Sequence, residues 1–243
     1  MLEFIAITAV GFVVGVINGM AGGASVISFP VILATGLSPV SAAMTNSIGI
    51  TPANFFALIA IRHRIKEIAR EYSRLIFVSV AASIFGAFAL INMPPTIFEK
   101  IVPFLLLFAT LSLLIKVKPK ADKNFQVKEN IGIAASGFYC GYFGPGQGVM
   151  VIAVLARDAR RETSNLNSAK NLIVGCTSTV SNLIYTFSGL VHWTFVAALF
   201  TGSTIGGTLG GHWATRMSSS FYRGLVLITG LSASAWLFVK YLL

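Results

Sequence analysis

The chain has 243 residues, 55% of them hydrophobic and only 11% charged, with a mean hydropathy of +0.80. That is far above the range of water-soluble domains and excludes a soluble enzyme as the default. The net charge of +10 comes from 18 Lys and Arg against eight acids; in a soluble protein it would suggest nucleic acid, but here its placement makes it a membrane-topology signal and nucleic acid is not expected as a partner.

The chain begins Met1-Leu2-Glu3 with no basic stretch ahead of its first apolar run, unlike a cleavable signal peptide, and is read as mature. A helix needs about 20 apolar residues to span the hydrocarbon. The first run, Phe4 to Met20, carries Gly11, Gly15 and Gly19 at four-residue spacing, a small face suited to close helix packing. Gly19-Met20-Ala21-Gly22-Gly23-Ala24-Ser25 then breaks the helix, and a short run from Val26 to Thr35 follows. The next three runs are longer: Ala42 to Ile61, Leu75 to Ile91 and Ile97 to Ile115.

The second half repeats this order. Ile131 to Phe143 leads into Gly141-Tyr142-Phe143-Gly144-Pro145-Gly146-Gln147-Gly148, then come Val149 to Ala156, Leu172 to Ser188, Trp193 to Gly211 and Phe221 to Leu242. Both joints are free of charge. Glycine permits positive φ and Pro145 lacks a backbone donor, so each reads as a helix break, tolerated at membrane depth only when buried in protein or facing a cavity. A shift of 122 residues places Gly15 on Gly137, Gly19 on Gly141, Gly22 on Gly144 and Ser25 on Gln147. Gly202, Gly206 and Gly210 form another small face, and Cys140 and Cys176 lie in apolar segments with no disulfide framework or metal-ligand spacing.

The expected architecture is all-α: a polytopic membrane protein with a first repeat over 1–115, a basic cytoplasmic linker over 116–129 and a second repeat over 130–243. Arg62, Arg64, Lys66, Arg70 and Arg74 share one loop; Lys116, Lys118, Lys120, Lys123 and Lys128 lie in the linker. Arg157, Arg160, Arg161 and Lys170 follow the second joint, and Arg216 and Arg223 lie in the last loop. With the N-terminus outside and each hairpin returning to its own side, 16 of the 18 basic residues fall inside, leaving Lys100 and Lys240. Three crossings after each hairpin invert the second repeat relative to the first. Trp193 and Trp236 then fall near outer ends and Trp213 near an inner end.

Inverted repeats with paired helix breaks are a recurring plan of secondary transporters, whose site lies between the repeats. The starts of the return helices, Gly22, Gly23, Ala24 and Ser25 in one half and Gly144, Gly146 and Gln147 in the other, offer backbone amides at positive dipole ends and suit an anion. Tight packing through glycine is the competing reading. Glu3, Glu67, Glu71, Glu99, Asp122, Glu129, Asp158 and Glu162 all fall in predicted loops or segment ends. A cation carrier usually places a carboxylate within the membrane, so an anionic or neutral substrate is favoured. Thr45, Asn46, Ser47, Thr51 and Asn54, and Asn171, Thr177, Ser178, Ser181 and Asn182, supply uncharged hydrogen-bonding groups, with interhelical bonding as the alternative use. Thr45, Asn46 and Asn171 join the candidate ligands; Lys170 either snorkels to the inner interface or draws in an anion. His63, His192 and His212 sit at segment ends, and no nucleophile elbow, His-Glu-x-x-His or carboxylate pair marks an enzyme.

At Gly15-xxx-Gly19-xx-Gly22-Gly23, Val26-Ile27-Ser28-Phe29-Pro30, Ala42-xx-Thr45-Asn46-Ser47 and the copy from Gly137 to Gly148, the sequence resembles the sulfite exporter TauE/SafE family of membrane transporters. Ala24-Ser25 stands where the family commonly has a third glycine, and Pro30 has no counterpart in the second half. The resemblance implies movement of sulfite, thiosulfate or organosulfonates across the cytoplasmic membrane; alternating access is the expectation from the two inverted repeats, and no cofactor or metal is expected. A passive anion channel and a carrier of small carboxylates are the alternatives. Direction, coupling ion and assembly into a homo-oligomer stay open.

Overall fold

A computed structural model describes residues 1–20, 22–115, 125–158, 161, 163–213 and 219–243. Lys116, Lys118, Lys120, Lys123, Asp122, Arg160, Glu162 and Arg216, which enter the charge reading, lie outside the described residues, as do Ala21 of the first joint and the side chain of Trp213.

The described chain is helical in every regular element. It runs α1 (Leu2–Met20), α2 (Ser25–Ala34), α3 (Pro39–Phe56), a 3₁₀ stretch (Ala57–Arg64), α4 (Ile65–Glu71), α5 (Ser73–Asn92), α6 (Pro95–Ser112), α7 (Phe125–Tyr142), α8 (Gln147–Leu155), α9 (Thr163–Thr186), α10 (Trp193–Trp213) and α11 (Ser219–Leu242). Each of the ten apolar runs corresponds to a helix. α9 begins nine residues ahead of the apolar run because its first turns are polar, and α7 begins at Phe125, inside the span read as linker. The basic loop after α3 winds into α4, which buries Ile68.

The sequence places the helix starts. Ser38 caps α3, its hydroxyl accepting from Ser41 N at 3.3 Å, with Pro39 in the first turn. Pro95 opens α6 in the same way. Among the described residues, five helical stretches are long and apolar enough to cross a membrane: Leu2–Met20, Pro39–Glu71, Ser73–Asn92, Pro95–Ser112 and Arg223–Leu242. The protein is a multipass membrane protein. Phe77, Phe85, Phe88, Phe104, Phe108 and Ile228 lie exposed on these helices, as lipid-facing side chains should. α2 and α8 have 10 and 9 residues, and at 1.5 Å per residue each reaches about 15 Å, half the hydrocarbon thickness.

Packing pairs the helices across the two halves. α1 lies along α10, and α7 lies along α5. Gly11, Gly15 and Gly19 of α1 face Leu199, Ser203 and Gly207 of α10 in the same order, so the two helices run parallel with their backbones in contact. In the other pair Gly137 and Gly141 of α7 face Ser79 and Ser83 of α5, again in order. α3 also runs parallel to α10, Ala53 and Ala57 meeting Gly207 and Gly211. It runs antiparallel to α9, where Ser47 meets Asn182 but Phe55 meets Gly175. Ser83 of α5 donates to the Thr177 carbonyl of α9, and Ser203 of α10 to the Gly49 carbonyl of α3. α6 and α11 close the outside, with Phe104 against Phe238 at 4.8 Å between ring centroids.

Among the described residues, charged side chains stay at helix ends or in loops, with one exception. Glu129, near the start of α7, is buried and paired with Arg161, whose guanidinium lies 5.1 Å from the Tyr72 ring centre. Lys170 is the exception, wholly buried within α9.

The glycine contacts yield a direct test. A methyl group on Gly15 would sit 2.6 Å from the Ser203 carbonyl oxygen, whereas Gly224 faces open space. Gly15→Ala is expected to cost about 1–3 kcal/mol through overpacking. Gly224→Ala is expected to be neutral or to stabilise by up to about 1 kcal/mol through helix propensity. Thermal unfolding of the two variants in one detergent checks the contrast.

Candidate functional site at the paired helix breaks

Both breaks are made by glycines in a left-handed backbone conformation: Gly22 (φ +82°) and Gly23 (φ +85°) in the first, Gly144 (φ +93°) and Gly146 (φ +90°) in the second. Side chains with a Cβ avoid this region, which is why the joints demand glycine. The local hydrogen bonds superimpose under the sequence shift. Gly22 N donates to Ile17 O at 3.4 Å and Gly144 N to Tyr139 O at 3.1 Å; Ile27 N donates to Ala24 O and Val149 N to Gly146 O. Tyr139 holds the second joint further, its hydroxyl donating to Pro145 O at 2.8 Å.

The two joints meet. A Cβ on Gly22 would lie 3.2 Å from Gly148 Cα, and Gly146 N donates to Ser25 Oγ at 3.3 Å. The N-terminal ends of α2 and α8 are therefore brought together from opposite halves of the chain. Neither helix has a side-chain cap of its own, so two positive dipole ends converge on one place.

That place is a cavity of about 40 Å³ lined by Asn18, Ser25, Asn46, Ser47, Ile50, Thr51, Asn54, Gly144, Pro145, Gln147, Gly148, Val174 and Ser178. Eight of these carry polar side chains and none is charged. Several are already engaged: Asn18 Nδ2 donates to Asn54 Oδ1 at 3.1 Å, and Ser47 and Thr51 are tied to Asn182 across the α3–α9 crossing at 2.8 Å each. Gln147 and Asn46 are different. Both are buried, yet Gln147 Oε1 and Nε2 and Asn46 Oδ1 have no protein hydrogen-bond partner. An unpaired buried polar atom is costly, so these three atoms are hydrogen-bonding capacity at the lining that a polar ligand could use.

Lys170 stands beside the meeting joints, its Nζ 3.5 Å from where a Gly22 side chain would begin. It donates to Asn18 O at 2.7 Å and Asn171 Oδ1 at 2.5 Å, and none of the described carboxylates pairs with it. The side chain does not snorkel; it turns inward to bind the end of α1. Its neighbours Asn167 and Asn171 both donate to Gly19 O.

The candidate residues thus separate. Ser25, Asn46, Gly144 and Gln147 line the cavity, while Gly22, Gly23, Ala24 and Gly146 shape the joints around it. Thr45 faces elsewhere, its hydroxyl accepting from His192 N at 3.0 Å and so binding α3 to the start of α10. Asn171 spends its amide on Lys170 and Gly19, outside the lining. Asn18 escapes the sequence reading, although an Asn inside an apolar run immediately before a glycine joint is itself a signal. The described residues contain no cluster of His, Cys, Asp or Glu able to hold a metal.

The chain is similar to known proteins over most of its length. The family model described as sulfite exporter TauE/SafE matches residues 7–237. A "probable membrane transporter protein" of Haemophilus influenzae is 27% identical over 93% of this chain and 91% of its own length. A protein of the same description from Xylella fastidiosa is 30% identical over 87% of this chain and 83% of its own. A "probable membrane transporter protein ORF9" from a Sinorhizobium species is 25% identical over 96% of this chain and 90% of its own length. No solved structure matches the chain.

Tyr139→Phe removes only the hydroxyl that fixes the second joint. Losing that bond to Pro145 O is expected to lower stability by about 0.5–1.5 kcal/mol, seen as a lower melting temperature in detergent with unchanged helix content by circular dichroism.

Proposed function

The chain belongs to the sulfite exporter TauE/SafE family of membrane transporters, and from that premise we propose that it is a secondary transporter of small sulfur-containing anions, namely sulfite, thiosulfate or an organosulfonate. The observation that carries the reading is the convergence of two uncapped helix starts on a polar, uncharged cavity. Helix N-termini bind oxyanions through backbone N–H groups and the dipole. Neutral amides and hydroxyls add directional donors without the penalty of an unpaired buried charge. The Lys170 amine stands behind the joints, and no lining carboxylate opposes an anion there.

In this reading Ser25, Asn46 and Gln147 contact the substrate, the joints from Gly22 to Ala24 and from Gly144 to Gly146 aim the starts of α2 and α8 at it while their own Gly22, Gly144 and Gly146 N–H groups stay engaged within the protein, and Thr45 and Asn171 act as structural ties. The two halves form inverted repeats. α1, α3 and α10 run in one direction while α5, α7 and α9 run in the other, which supports that relation. Transport proceeds by alternating access: the contact between Gly22 and Gly148, the bond from Gly146 N to Ser25 Oγ and the bonds that tie Ser47 and Thr51 to Asn182 join the halves at the site, and the halves exchange roles as one side opens. The N-terminus lies outside the cytoplasmic membrane, with the basic loop after α3 and the linker inside.

Reconstituted protein should take up radiolabelled sulfite, thiosulfate or methanesulfonate with saturation, and unlabelled anion trapped inside should accelerate uptake by counterflow. Flux that follows an imposed potential without saturation or counterflow would identify a channel instead; saturable uptake of small carboxylates alone would replace the sulfur anion; absence of flux for every anion would overturn the proposal. Asn46→Ala should raise the half-saturating concentration about tenfold, the loss of one ligand hydrogen bond in a buried site, without reducing the yield of folded protein.

A further inference from the structure

We propose that the substrate is an anion that also donates a hydrogen bond: a protonated oxyanion such as hydrogensulfite, or a sulfonate bearing an N–H or O–H group, in preference to a fully deprotonated oxyanion. The proposal rests on the anion-binding reading of the cavity and deepens it. An oxyanion has only acceptors to offer, and it would satisfy the helix starts and Gln147 Nε2, which are donors. Two more unpaired atoms in the same lining are of the opposite kind. Gln147 Oε1 and Asn46 Oδ1 are acceptors, both buried, and neither receives a proton from any protein group.

Turning the Gln147 amide over exchanges its two terminal atoms but does not change the inventory, because both are unpaired. Asn46 comes from α3 and Gln147 from the first residue of α8, so the two acceptors belong to different halves of the chain. A bare dianion facing them would leave both oxygens without partners and meet their negative ends, an arrangement that selects against it as strongly as a missing hydrogen bond selects against an analogue. One ligand O–H or N–H repairs this while the remaining oxygens stay on the donors. The cavity volume of about 40 Å³ compares with roughly 10–15 Å³ on the same kind of measure for one water molecule, so the bound group is of a few heavy atoms.

Serine at position 25 and glutamine at position 147 occupy matching places under the 122-residue shift. Ser25 Oγ is engaged by Gly146 N, whereas the Gln147 amide is unengaged. The asymmetry gives the site its mixed donor and acceptor character, and it makes Gln147 the specificity-determining residue.

Sulfamate and methanesulfonate test the idea. They match in shape and are both singly charged through the neutral pH range, and they differ in an amino group against a methyl. Binding to the purified full-length protein, read by ligand-dependent shifts in melting temperature and by competition with labelled sulfite in proteoliposomes, should favour sulfamate by about tenfold or more, the discrimination expected of a buried acceptor that must be paired. Gln147→Met should bring that ratio close to one. Asn46→Leu, on another helix, should reduce it independently, so failure of either variant to fold leaves the other informative. Equal binding of the two anions by the unaltered protein, tighter binding of methanesulfonate, or a ratio unchanged in the folded variants would overturn the donor requirement while leaving an anion site in place. Sulfite competition with no binding of sulfamate would also overturn it. Absence of binding by sulfite, thiosulfate and both sulfonates would remove the anion site itself, and the donor requirement with it.

Discussion

Two helices end inside this protein, and the backbone groups freed at those ends must be satisfied without bulk water. Most of the architecture around the site answers that constraint. The carbonyl of Gly19, near the end of α1, accepts from Asn167 and Asn171, and that of Asn18 accepts from Lys170. At the other joint the Pro145 carbonyl accepts from Tyr139, and the Gly141 carbonyl accepts from Tyr185. Carbonyl ends are thus served by side-chain donors drawn from neighbouring helices and from the same hairpin. The amide ends are treated differently: Ser25 takes the Gly146 N–H just ahead of α8, Val26, Ile27, Gln147 and Val149 turn their N–H groups onto carbonyls of their own joints, and neither helix carries a side-chain cap of its own. The negative ends of the broken helices thus draw on side chains, while the positive ends are closed by their own joints and face a cavity.

The close backbone approach in both hairpin pairs follows from the same geometry. Hydrophobic burial gives little preference between helix–helix and helix–lipid contact in a bilayer, so packing density has to hold the hairpins in place. α1 and α7 are the fixed arms from which α2 and α8 return, and each lies against a partner helix through three or more small residues, Gly11, Gly15 and Gly19 on Leu199, Ser203 and Gly207 in one case, Gly137 and Gly141 on Ser79 and Ser83, with Gly86 facing back, in the other. Rigid arms position short, less supported return helices. That division suits the proposed alternating-access cycle, in which the walls of the site move relative to each other while its hydrogen-bonding groups stay aligned.

The sequence made much of this legible because membrane helices announce themselves through hydropathy and because glycine is nearly obligatory where φ is positive. All ten apolar runs are helices, and the shift that aligns Gly22 with Gly144 also aligns the backbone bonds at the two joints. Side-chain direction was not legible. Thr45 and Asn46 are adjacent, and a helix turns them about 100° apart, so one meets His192 N while the other lines the cavity. Asn46 and Asn171 look equivalent along the chain, yet Asn171 is committed to the end of α1 because Lys170 beside it is turned the same way. Asn18 was hidden among apolar neighbours, and its place in the lining depends on Asn54, 36 positions away.

Lys170 shows most clearly how position alters the meaning of a charge. Counted along the chain it belongs with the basic residues that orient the protein in the membrane; in the structure it is wholly buried and contributes nothing to a surface field. An ammonium group in such a place loses its hydration, and two neutral acceptors recover only part of that loss. A carboxylate partner would have been the simplest compensation, and the described acids lie at helix ends and in loops instead. A mobile anion beside the joints can supply the compensation that no fixed residue does, and because that anion can leave, the stabilisation it brings is available only while the site is occupied. Under the proposed anion-binding reading, the buried amine and the helix starts without side-chain caps favour the same thing: negative charge that belongs to the cargo and not to the protein.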